Sequence, residues 1–97
     1  MERTELLDCL LDLAGELGIA VRRHKFRQGV TDEPLPRTGL CRVRGEAWLL
    51  VMEHEPIEDR IAAVAGALRE SAPAELEGRY LPPRIREAID PSGASPR

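Results

Sequence analysis

Aromatic side chains are nearly missing from this sequence: Phe26, Trp48 and Tyr80 are the full set among 97 residues. The core must therefore be built from Leu, Ile, Val and Ala, and a surface that stacks several bases on several rings is not available. No apolar run approaches the roughly 18 residues of a membrane-spanning helix. The leucine-rich opening MERTELLDCLLDLAGELG is broken by Glu5, Asp8 and Asp12 and has no basic region with a small-residue cleavage site. It does not read as a signal peptide, and the expected location is cytoplasmic. Cysteine is limited to Cys9 and Cys41, which a reducing cytosol leaves as free thiols on apolar faces.

Catalytic patterns are missing too. Local zinc sites pair their donors as C-x2-C or H-x3-H, and no two of His24, His54, Cys9 and Cys41 lie within four residues. No metal and no cofactor is expected. There is no G-x-S-x-G, and Ser71, Ser92 and Ser95 fall at a helix end or in the tail. Gly15, Gly18, Gly39 and Gly45 fit neither a P-loop nor a dinucleotide fingerprint. Cys41 beside His24 or His54 would make a thiolate pair only if the fold brought them together, and Cys41 is expected to point inward. Glu53 and Glu55 read as the acidic lead-in to a helix. The chain is expected not to be an enzyme.

The length supports one domain, taken as 1–90, with 91–97 as a disordered tail. Leu6, Leu10, Leu13 and Leu17 recur at helical spacing, widened by Leu7, Leu11 and Ala14. Thr4 can cap this first helix and Gly18 can end it. Ile19 to Phe26 reads as an edge strand guarded by its own charges, and 27–38, with two prolines, as a loop. Pro56 opens a second helix with Ile57, Ile61, Val64, Ala65 and Leu68 on one stripe, and Pro73 stops it. After an irregular stretch, LPPRIREAID forms a short helix with Ile85, Ala88 and Ile89 inward. The order implies an α+β fold. Its small antiparallel sheet of about three strands, an edge strand plus a hairpin, packs with two main helices and a short C-terminal one.

GLCRVRGEAWLLVM is the hairpin. A turn at Gly45-Glu46 has glycine first, as a type II′ turn requires, and would set Val43 opposite Trp48 and Cys41 opposite Leu50. A turn at Arg44-Gly45 changes the pairs but not the two faces. Cys41, Val43, Trp48, Leu50 and Met52 are expected to line the interior. Leu40, Arg42, Arg44, Leu49 and Val51 then form a second face, left open for a protein partner or a second copy unless a helix covers it.

Charge is unevenly spread. Residues 22–44 hold Arg22, Arg23, Lys25, Arg27, Arg37, Arg42 and Arg44 against Asp32 and Glu33, while the remainder has seven basic and fifteen acidic residues. Arg22, Arg42 and Arg44 would share one sheet face if the first strand pairs beside the hairpin. Two functions follow as expectations. The leading one is a small non-enzymatic binding or regulatory protein acting through Leu40, Arg42, Arg44, Leu49 and Val51. The alternative is nucleic-acid or polyanion binding through Arg22, Arg23, Lys25, Arg27, Arg42 and Arg44. The net charge of −3 and the lack of rings weigh against the alternative.

From Leu10 to Arg69 the layout LGIAV, basic strand and loop, GLCRVRGEAWLLVMEHEPIEDRIAAVAGALR resembles the opening region of ImmA/IrrE-type zinc metallopeptidases. In that family a hairpin leads into a helix carrying H-E-x-x-H, with an arginine a few residues before it, as Arg60 stands here. The motif positions fall on Ala65, Gly66 and Arg69, so every catalytic position is replaced. The resemblance implies a fold relative without zinc or protease activity. The chain also resembles short bacterial proteins that share the G-L-C-R-x-x-G hairpin and an L-P-P-x-x-R-E ending, a likeness that implies no function.

Overall fold

The computed structural model describes residues 2–25 and 37–89. Phe26, Arg27, most of the expected 27–38 loop and the expected tail lie outside the described residues. The elements run α1 (Arg3–Glu16), β1 (Ala20–His24), β2 (Gly39–Val43), β3 (Glu46–Met52), α2 (Ile57–Ser71), α3 (Pro73–Glu77) and α4 (Pro83–Ile89). This is a small α+β fold in two layers, a three-stranded sheet and a helical layer.

α1 buries Leu6, Leu7, Leu10, Leu11, Leu13 and Ala14, the stripe that its leucine spacing demands. It begins earlier than a Thr4 cap allows. The carboxylate of Glu5 accepts the Glu2 backbone N–H at 3.2 Å, satisfying a donor at the helix start. Gly18, at φ +86°, turns the chain out of the helix in the left-handed region. α2 buries Val64, Ala65, Ala67 and Leu68. The stretch expected to be irregular contains α3, a single proline-started turn that seats Leu76 in the core. The Arg86 guanidinium donates to the carbonyls of Leu76 (3.3 Å) and Arg79 (3.1 Å), tying α4 to the α3 exit.

The sheet is mixed, not antiparallel throughout. Its strand order is β1-β3-β2, with β1 parallel and β2 antiparallel to β3. β3 reads EAWLLVM, the most apolar strand, and takes the centre, where both edges are paired. The charge-rich β1 is left at an edge, where charges discourage further pairing.

The hairpin closes at Arg44-Gly45, with both residues at positive φ, 53° and 84°. That is the type I′ pattern, one of the two turn types whose twist matches the flanking strands. The pairs are accordingly Val43–Glu46, Cys41–Trp48 and Gly39–Leu50, not the pairs a Gly45-Glu46 turn would give.

The larger correction concerns the faces. Leu49 and Val51 are fully buried and belong to the core shared with α1 and α2, and half-buried Leu40 packs against it. Cys41, Val43, Trp48 and Leu50 are half-buried and have no place in that core. Met52 is buried as expected, but the rest of the expected interior is on the outer side, and most of the expected open face is interior. Helices α1 and α2 meet the sheet from the Leu49 side alone, because a two-layer domain has one core and its widest apolar stripes lie on those helices.

Candidate docking face on the sheet

The outer face is arranged in cross-strand rows. Ala20, Trp48 and Cys41 form one row, and Arg22, Leu50 and Gly39 the next. In each row the large residue sits on the central strand between smaller neighbours or beside Arg22, so Trp48 and Leu50 form a ridge. His24 and Met52 extend it at one end, Met52 being buried apart from the main leucine-rich cluster, and Val43 and Glu46 close it at the hairpin end.

The Arg22 guanidinium carbon stands 4.7 Å from the Trp48 ring centroid. A cation at that distance from an indole face is held by about 0.5–1 kcal/mol at an exposed site. The Trp48 indole N–H reaches the Glu46 carboxylate at 3.5 Å. Trp48 is therefore fixed from both sides, by a cation on its face and an acceptor at its edge.

The partner residues expected from sequence are not assembled as expected. Leu49 and Val51 are inaccessible, Leu40 leans into the core, Arg42 shares the helix-facing side with Ala47, and Arg44 is exposed in the turn. The basic set is divided as well. Arg22 lies on the outer face, whereas Arg42 lies on the other, so they do not share a surface. Arg23 reaches the helical layer and pairs with Asp8 at 3.3 Å. Lys25 is exposed at the end of β1, and Arg27 lies outside the described residues.

Among the described residues, no carboxylate lies within ion-pair distance of Arg22, Lys25 or Arg44. Several other arginines are engaged: Arg3 with Glu58, Arg79 with Glu16, Arg69 with the Ile89 carbonyl, and Arg60 with the Glu55 carbonyl at 2.9 Å. Arg22 thus stands on the apolar ridge without a carboxylate partner, while Lys25 and Arg44 are exposed at the end of β1 and in the hairpin turn.

At the far end of β3, Thr38 is buried and holds the strands in register. Its hydroxyl accepts the Met52 N–H at 2.9 Å, and its own N–H donates to the Glu55 carboxylate at 2.7 Å. Hydrogen bonding of Glu55 to Thr38, to its side chain first and then to its backbone N–H, holds the Glu55 carboxyl below the ordinary value of 4.5, with His54 and Arg37 adding to the effect. Glu55 therefore clamps the entrance of β2 and has an architectural part here.

Cys41 is on the outer face and Cys9 on α1, both as free thiols. Among the described residues no three His, Cys, Asp or Glu side chains gather closely enough to hold a metal ion. No described helix is long and apolar enough to cross a membrane. On α2, Ala65 is packed in the core and Arg69 bonds α4, so these positions serve packing. No protein-family model, curated protein or solved structure matches the chain.

What sequence reasoning missed was that Trp48 lies on the outer face of the sheet. The cue lay in Val21. Its apolar side alternates with Arg22, and parallel pairing sets Val21 beside Leu49 and Arg22 beside Leu50. The sequence carries no sign of that pairing partner.

Proposed function

We propose that this is a small binding protein, not an enzyme, whose docking surface is the outer face of the sheet. The partner that fits is a polypeptide segment presenting apolar side chains flanked by carboxylates. One observation carries the reading: the helices lie on one side, leaving Trp48 and Leu50 outside the core beside Arg22, which has no carboxylate partner among the described residues. Tryptophan and arginine are the residues that most often dominate binding energy at protein interfaces. Single-stranded nucleic acid is the weaker fit, since one ring, already faced by a guanidinium, offers little stacking area.

Trp48 is the only tryptophan, so intrinsic fluorescence reports this face directly. Titration with a short peptide alternating leucine and glutamate is expected to shift the emission to the blue and to saturate. The leucine-lysine counterpart is expected to do nothing, and Arg22→Glu to weaken the response at least tenfold. Equal responses to both peptides, or saturation by oligothymidine alone, would remove the reading.

A further inference from the structure

Among the described residues the sheet has two unpaired edges, and they differ. β1 reads AVRRH, and its Arg22, Arg23 and His24 guard it against another strand. β2 reads GLCRV, with one charge and no proline. Unguarded edges of this kind are templates for strand addition.

The hairpin geometry says which groups are offered. Val43 and Glu46 flank a two-residue turn and form a hydrogen-bonded pair, so Cys41–Trp48 and Gly39–Leu50 do likewise. Leu40 and Arg42 therefore direct their N–H and C=O groups away from β3, into the open edge.

We infer that β2 pairs antiparallel with β2 of a second copy of this chain, about a twofold axis at Cys41. Leu40 then opposes Arg42 of the second copy, and Arg42 opposes its Leu40. Each pair exchanges both main-chain hydrogen bonds, so every outward-directed group is satisfied. Charge fits the same register. Each Arg42 faces a leucine instead of a like charge, and it lines a cleft with Glu70 and Glu75 at the end of α2 and start of α3, which supply opposite charge beside it. The result is one continuous sheet with order β1-β3-β2-β2-β3-β1. Its outer face carries both tryptophans in one row, separated only by the two copies of Cys41. This inference rests on the sheet edge and stands apart from what docks on the face.

The register gives a direct test. The two Cys41 residues fall at a non-hydrogen-bonded antiparallel pair, where Cα atoms lie about 4.5 Å apart, within the range a disulfide can span. Copper-phenanthroline should oxidise the two thiols, removing two protons and two electrons, to a covalent dimer. Cys9→Ser is expected to leave that product intact and Cys41→Ser to abolish it. Sedimentation of the reduced wild type should give twice the mass of one chain. Arg42→Pro removes an outward N–H that the monomer does not use, and Cys41→Lys places two cations at the axis. Either variant should sediment as a monomer with an unchanged circular-dichroism spectrum. A monomeric wild type at high protein concentration would overturn the inference. So would a dimer that cross-links through Cys9 only, or one that survives Cys41→Lys.

Discussion

Leu49 and Leu50 are neighbours on one strand with opposite fates, and truncating each in turn measures which side of the sheet is the interior. Leu49 is 0% exposed in the core, whereas Leu50 is half-buried and outside it. Leu→Ala at position 49 removes three carbons, about 2.4 kcal/mol of transfer free energy at 0.8 per methylene, and the cavity left behind raises this to about 3 kcal/mol. At position 50 the side chain already meets solvent on one side, and the loss should stay below about 1 kcal/mol. For a domain of this length the whole stability is of order 5–10 kcal/mol, so the first change removes a large share of it. Urea denaturation followed by circular dichroism should show a lower midpoint for Leu49→Ala with an unchanged slope. The melting temperature should drop by roughly 12–24 °C. A Leu50→Ala loss equal to or larger than that of Leu49→Ala would refute the assignment of faces and, with it, the proposed docking surface.

Three further outcomes follow from local geometry. Arg44 holds φ 53°, so Arg44→Asn, which suits the left-handed region, should stabilise the hairpin by roughly 0.5–1 kcal/mol in thermal melts. Thr38→Val keeps the shape but strands the Met52 N–H, and should cost about 1–3 kcal/mol in the same melts. The folded state lowers the Glu55 pKa, so its contribution is complete above the ordinary value of 4.5 and declines as pH falls through the lower folded value. Glu55→Gln should therefore flatten part of the acid limb of stability against pH, and an identical acid limb in the variant would dismiss the clamp.

The helices were legible because their apolar residues repeat at one spacing and bury one side. Leu6, Leu10 and Leu13 on α1, Val64 and Leu68 on α2, and Ile85 and Ile89 on α4 are all buried as that spacing requires. The hairpin was legible as a hairpin but not in its facing, because both of its sides are apolar. Cys41, Val43, Trp48 and Leu50 look as fit for an interior as Leu40, Leu49 and Val51 do. Only the helical layer, arriving from elsewhere in the chain, selects between them. The placement of β1 was hidden for a similar reason: parallel pairing with β3 depends on long-range register, and the alternation of Val21 with Arg22 does not specify the partner strand. Arg22 and Arg42 consequently could not be assigned to opposite surfaces until that register was known.

The two layers also differ in sign. α1 with its flanking residue Glu2 carries five carboxylates against Arg3, while the strands with their adjoining residues (20–25 and 37–55) hold six cations against three carboxylates. A body so divided has a dipole running from one layer to the other, and an external field exerts a torque on it as well as a force. Near an anionic object the molecule would rotate until its tryptophan side leads, even though its total charge is repelled at a distance. The same polarity predicts retention on both cation- and anion-exchange media at neutral pH and low salt, with the bound orientation inverted between the two.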